Sequence, residues 1–301
     1  MATAGPDRPV LVIENDLDAP VAMVGRWLRE AGAELEVRTP EMGQPLPDDL
    51  TGCSALVVLG GAMNAYDDEV ARWLPQVRRL LSEAVRTELP TLGICLGAQL
   101  LAVAVGGRVS AAETPEYGAQ LVAKRQAAAD DPLFRELPIT PDVLQWHVDE
   151  VSELPPGAVL LASSPVCAVQ AFRVGRLAWG IQFHIETTPE IVAEWARHDA
   201  QVLSDYDLPA IVERSARAHP DIAEAWQPVV AAFVALAAAP ASARTALSDL
   251  NPRLLPMASA GTATPAGPAS PAGTAGPLTD AAAIRAALAA ELRASREPPS
   301  L

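Results

Sequence analysis

Short, wholly apolar runs alternate with helical patterns through the first third of the chain, and that alternation narrows the fold more than any other feature. Residues 10–14 (VLVIE) form one such run, closed by Asn15-Asp16. Residues 21–31 then carry Val24, Trp27 and Leu28 at helical spacing, and 34–38 reads as a second strand. A third, 55–59 (ALVVL), stops abruptly at Gly60-Gly61. The stretch 69–88 predicts a long amphipathic helix with Trp73, Val77, Leu80, Leu81 and Val85 on one face. Residues 91–94 predict the next strand and 98–105 its helix. A strand with no polar side must be buried on both faces. Helices between such strands supply the cover, which predicts an α/β fold: a mostly parallel open sheet with helices on both faces.

The middle of the chain changes period. Short β-like pieces at 120–123, 143–146, 159–162, 167–172 and 178–183 are separated by turns such as Leu154-Pro155-Pro156-Gly157. Strands so closely spaced predict an antiparallel β extension of the sheet. A helix is expected over 189–204, with Ile191, Val192, Trp195 and Val202 as its apolar face. The segments sort into an 8–208 domain, a 209–256 helical extension, and an Ala/Pro-rich C-terminal tail. Residues 211–237 predict one or two Ala-rich helices. Residues 257–278 are Ala, Gly, Pro, Thr and Ser with too little apolar surface for a core, and predict a disordered linker. A terminal helix is expected within 279–301, capped by Thr279 or Asp280.

Charge and cysteine usage exclude several function classes. The chain has 22 basic and 37 acidic residues, a net charge of −15, with no Lys/Arg cluster to hold phosphates, so no nucleic acid is expected. Cys53, Cys95 and Cys167 have neither disulfide-framework nor zinc spacing, and no metal or cofactor is expected. Residues 1–9 lack a basic-then-apolar leader, and the apolar stretch 229–239 is too short to cross a bilayer. A cytoplasmic protein without membrane contact is the expectation.

The strongest chemical signal is Gly93-Ile94-Cys95-Leu96-Gly97, between a strand and a helix. A nucleophile elbow has this form, because the turn is too tight for side chains flanking the nucleophile. At a helix N-terminus a cysteine gains in reactivity, and the next backbone N–H can donate to a developing oxyanion. A plain buried cysteine is the competing reading. A thiol nucleophile needs a base. His198 and His219 are expected on the surface, whereas His184 ends a strand and Glu186 follows two residues later. Positions i and i+2 of an extended chain point the same way, so Glu186 can orient the His184 ring. Alone, His184 and Glu186 would equally suit a pair capping the following helix.

The segments Leu59-Gly60-Gly61, Gly93 through Gln99, and Gln182-Phe183-His184-Ile185-Glu186 resemble, in order, the three signatures of class I glutamine amidotransferases. The roughly ninety residues between Cys95 and His184 suit that family. Gly60 through Asp68 (GGAMNAYDD) and Gln145-Trp146-His147-Val148-Asp149 extend the likeness toward stand-alone proteins similar to the glutaminase domain of GMP synthase. The resemblance covers about residues 10–204.

It implies Cys95 as nucleophile, His184 as base and then acid, and Glu186 as the residue orienting His184. It implies an oxyanion hole from the Gly61 and Leu96 amides. It also implies substrate contacts from Gly60, Gln99 and the backbone around His147, Val148 and Asp149. Three positions depart from the family pattern. Ala62 stands where Pro usually follows Gly-Gly, which predicts a freer oxyanion loop. Ile185 replaces Pro between His and Glu, and as a β-branched residue it still favours extended backbone, so the His–Glu geometry is expected to survive. Val148 replaces a Gly often found after His147, which predicts a narrowed pocket or an altered backbone there. The implied activity is hydrolysis of the γ-amide of glutamine or of a γ-glutamyl small molecule. Nothing after Ser204 resembles an ATP-pyrophosphatase domain, so ammonia would pass to a separate synthetase in trans. A stand-alone γ-glutamyl peptidase and a non-catalytic binding module of the same fold are the alternatives.

Overall fold

The computed structural model describes residues 5–240. The expected linker at 257–278 and terminal helix within 279–301 lie outside them. Strands β1 (Val10–Ile13), β2 (Leu35–Arg38), β3 (Ala55–Val58) and β4 (Thr91–Ile94) alternate with helices α1 (Ala22–Glu30), α2 (Leu74–Arg86) and α3 (Leu96–Ala104). Then come β5 (Arg108–Leu121), β6 (Ala123–Lys124), β7 (Asp142–Glu153), β8 (Val159–Ser163), β9 (Ala171–Val174) and β10 (Ala178–Ile181). Helices α4 (Pro189–His198) and α5 (Leu208–Ala238) follow.

Eight strands make one sheet in the order β2-β1-β3-β4-β10-β9-β8-β6. The run from β2 to β10 is parallel, while β9, β8 and β6 pair antiparallel beyond it. Alternation along each apolar strand divides the core between the two faces. Val10, Val12 and Val57 join one buried cluster with Trp27 and Trp226; Leu11, Ile13 and Leu56 join the other with Val77, Leu80 and Leu101. Both faces are thus dry, as the continuous apolar strands require.

The middle region differs in one respect from a simple extension. The piece expected at 120–123 straddles the end of β5 and the start of β6, and that at 143–146 lies within β7. Strands β5 and β7 are long and form their own two-stranded ribbon apart from the sheet. Between the pairs Ala111–Asp149 and Glu116–His147, β5 advances five residues while β7 advances two, so β5 bulges opposite Val148. The piece expected at 167–172 is displaced to 171–174, leaving Cys167 in the preceding turn. The helix expected over 69–88 begins only at Leu74, with Pro75 in its first turn.

Residues 208–238 form one helix, with Pro220 and Pro228 inside it. Among the described residues it is the one helix long and apolar enough to cross a membrane. Its Ile222, Trp226, Val230, Phe233 and Val234 are buried in the same cluster as α1 and β1, and the Trp226 indole donates to the Asp142 carbonyl at 3.0 Å.

Candidate active site

Adjacent parallel strands end side by side, and their following loops converge. Thus β1 leads into Asn15-Asp16, β3 into Gly60-Gly61, β4 into Cys95, and β10 into Gln182 through Glu186. The carboxyl end of an open α/β sheet is where ligand clefts form. Here a cleft of about 150 Å³ opens, lined by Gly61, Cys95, Gln99, His147, Val148, Asp149 and His184 from the expected residues. Asp16, Tyr117, Trp146, Trp195, His198 and Asp199 are also among its lining residues.

Cys95 sits at the last step before α3 with φ 51° and ψ −110°, a backbone conformation that L-residues avoid. The neighbouring glycines permit it. A Cβ on Gly93 would stand 2.5 Å from the Gly97 carbonyl oxygen, and one on Gly97 would stand 2.0 Å from that of Val58. The elbow reading therefore has a steric cause in the close approach of strand, turn and helix. Leu96 is the first residue of α3, whose opening amides have no intrahelical acceptor.

His184 is fixed from three sides. Its backbone bridges Leu144 of β7, with N–H to O distances of 2.7 and 3.2 Å. Its ring lies edge-on to Trp195, 4.9 Å between centroids. Its Nδ1 is 2.6 Å from Glu186 Oε1, while Glu186 Oε2 accepts from the Ile185 amide at 3.0 Å. Ile185 lies in a bend here, and the His184–Glu186 pairing forms with it in place of Pro. Burial opposes a charge on His184. The Glu186 carboxylate and then the Cys95 sulfur, which also hydrogen-bonds the ring, outweigh it and push the pKa up to about 10. The direction of that shift favours the imidazolium form of His184. Burial raises the thiol pKa of Cys53 and Cys167 instead, and keeps both protonated.

Gly60 abuts this pair: a Cβ there would lie 3.2 Å from His184 Cε1 and 3.6 Å from Cys95 Cβ. Gln99 is turned toward the ribbon, donating to the Asp149 carbonyl at 3.0 Å and to Gln182 Oε1 at 3.3 Å. Asp149 also accepts from the Asn64 amide at 2.7 Å. The His147 ring has partners of its own, with Nδ1 3.0 Å from the Asp149 carbonyl and Nε2 3.3 Å from buried Glu116. The segment 147–149 thus presents a braced backbone to the cleft. Of the two histidines expected on the surface, His198 is at the cleft mouth, half-exposed and near Asp18 and Glu194. His219 is instead partly buried, between Thr187 Oγ1 and the Ser215 carbonyl.

Sequence reasoning passed over Asp16, Trp195 and Asp199 as cleft residues. Asp199 accepts from the Trp146 indole at 2.8 Å, and the Trp195 indole donates to the Asp18 carbonyl at 2.7 Å. No local pattern marks them, because each is brought in by a distant element. Among the described residues, no group of three or more His, Cys, Asp or Glu is arranged to hold a metal.

A model of the glutamine amidotransferase class-I family matches residues 15–198. GMP synthase [glutamine-hydrolyzing] of Porphyromonas gingivalis is 34% identical over 165 residues, covering 54% of this chain and 30% of that protein. A glutamine-hydrolyzing GMP synthase subunit of Methanococcus vannielii is 39% identical over 106 residues, 35% of this chain and 54% of that protein. The chain therefore spans about half, or less, of the length of these relatives. A crystal structure of a glutamine amidotransferase from Thermotoga maritima superposes with a TM-score of 0.68 at 28% identity, covering 77% of this chain and 99% of that one.

Proposed function

The chain belongs to the class-I glutamine amidotransferase family, and from that premise we propose that it hydrolyses the γ-amide of glutamine with Cys95, His184 and Glu186 as its catalytic triad. The observation that carries this is the cysteine on a strained elbow, beside a buried histidine held 2.6 Å from a carboxylate.

In this mechanism the Cys95 sulfur attacks the γ-carbonyl carbon, and the carbonyl oxygen takes up the negative charge. The Gly61 and Leu96 amides donate to that oxygen. The His184 imidazolium gives its proton to the amide nitrogen as the C–N bond breaks, releasing ammonia and leaving a thioester. Neutral His184 then takes a proton from water as its oxygen attacks the thioester carbon. Collapse expels the sulfur, frees glutamate and restores the imidazolium. Glu186 keeps the ring oriented through both halves. Asn64 and Gln99 hold the segment 147–149 against which the α-carboxylate would rest.

We further infer that the ammonia serves a separate synthetase, supported by the relatives that are themselves named as single subunits of a GMP synthase. A second reading draws on Tyr117, Trp146 and Trp195 at the cleft. An aromatic wall of that kind suits a leaving group larger than ammonia, and so a γ-glutamyl peptidase. The presence of all three triad residues weighs against a binding module alone. Steady-state kinetics on the purified chain, with glutamine and with γ-glutamyl dipeptides, separates the two enzymes. Weak glutaminase activity, raised by a partner synthetase, is expected. A high kcat/KM for a dipeptide with glutamine poorer would favour the peptidase, and no turnover of either would end both.

A further inference from the structure

Two consecutive glycines make the 59–62 loop pliable, and a freer loop still is expected with Ala62 in place of Pro. The hydrogen bonds around it say otherwise. Before the glycines, the buried Asn15 side chain donates to the Leu59 carbonyl at 2.8 Å. After them, the Ala62 amide donates to Asp16 Oδ2 at 3.0 Å. The other Asp16 oxygen accepts from the Asp18 amide, also at 3.0 Å, which fixes the carboxylate's rotation. A Cβ on Gly61 would come within 3.2 Å of Asp16 Cβ and 3.3 Å of Leu96 Cδ2, so the aspartate packs directly against the loop. Asn15 is fully buried and Asp16 is 5% exposed. Among the described residues, Asn15 Oδ1 has no hydrogen-bond partner. A buried, half-satisfied amide is a poor choice for stability alone, and its one bond is the bond to this loop.

We propose that Asn15 and Asp16 are positioning residues, a two-residue clasp that grips the Gly60-Gly61 loop at both ends and keeps the Gly61 amide aimed at the oxygen reacting beside Cys95. The proposal rests on the hydrolase reading above for its consequence, though not for its geometry. Neither residue touches the reacting atoms in that mechanism. The clasp sets the loop's conformation through one donor and one acceptor outside the glycines, leaving the Gly60 and Gly61 amides themselves unengaged by it. It supplies through a carboxylate the restraint that a proline ring would supply through its fixed φ. Ala62 has an N–H that proline lacks, and Asp16 is where that N–H goes.

Three measurements on the full chain test this, comparing wild type with Asp16→Ala and Asn15→Ala. Amide hydrogen exchange in the peptide spanning 59–63 should quicken about tenfold or more in Asp16→Ala. Its kcat for glutamine should fall about tenfold or more, with KM within about threefold, since an oxyanion donor acts mainly in the transition state. Alkylation of Cys95 by iodoacetamide, a displacement with no oxyanion, should keep its rate within about twofold. Asp16→Asn has the same shape with one acceptor fewer, and should move exchange and kcat the same way by less. Asn15→Ala should act in the same direction.

Unchanged exchange and kcat in the Asp16 variants would overturn the clasp. Alkylation slowing in step with kcat would also overturn it, by showing a collapsed site rather than a misaimed amide. If wild type turns over no γ-glutamyl amide, the hydrolase reading fails, and the exchange comparison still decides whether the clasp exists.

Discussion

The two walls of the cleft are built by different means. On the reacting wall, the one that bears Cys95, the nucleophile and the His184–Glu186 pair depend on close sequence neighbours: Gly93 and Gly97 beside Cys95, and Glu186 two positions from His184. The Gly60-Gly61 loop is held from a distance by Asn15 and Asp16. On the facing wall, the β5–β7 ribbon is positioned by bonds that span the chain, from Gln99, Asn64 and Asp199 to residues 146–149. Local geometry suits a reaction whose atoms must be placed to fractions of an ångström. A wall joined only through long-range bonds can change its contour without disturbing the nucleophile. Under the proposed mechanism, substrate choice and chemistry would then be separable.

If that division holds, variants of the two walls fail in different ways. Cys95→Ala and His184→Ala should each lower glutamine turnover on the order of 10⁴-fold or more, the two acting as one unit. Ammonia and glutamate release measures it. Near-native rates in either variant would mean the reacting wall is elsewhere.

Glu186→Gln should cost less, on the order of 10³-fold in kcat, because the residue orients and charges the ring without touching substrate. It also has a pH signature. The folded pKa of His184, about 10, lies above its ordinary 6.5. The imidazolium is therefore present below that value and lost as pH rises through about 10. Any stability from its pairing is full below 6.5 and disappears over the same window. Removing the carboxylate should shift the alkaline limb of the rate profile downward. A limb that stays in place would assign it to another group.

The smallest effect is expected from the facing wall. Asn64→Ala removes one bond that holds Asp149 and should raise KM about tenfold, with kcat nearly unchanged. Titration of initial rates against glutamine checks this. A loss in kcat with KM constant would show that the ribbon also serves the reacting wall.

How much was legible in advance follows the same division. The parallel strands, the elbow and the His184–Glu186 pair could be read directly, since each is a short pattern whose physical reason is local. The ribbon could not. Its strands looked like separate pieces, because periodicity shows which residues alternate without showing which strand pairs with which. Asn15-Asp16 read only as the end of a strand, although the pair meets a loop more than forty positions away.

The sequence by itself determined that a cysteine would stand at the carboxyl end of a parallel sheet, and that a histidine and a carboxylate two residues on would stand together at one strand end. Apolar runs, flanking glycines and a two-residue spacing suffice for that, because each acts through its nearest neighbours. Only the tertiary structure decided that β10 lies next to β4, which brings His184 to Cys95. It likewise turned His147 toward Glu116 and tied the Gly-Gly loop to Asp16. Those choices depend on sheet order, register and the burial of polar groups that must find partners across the fold. Such constraints exist only once the whole core has closed.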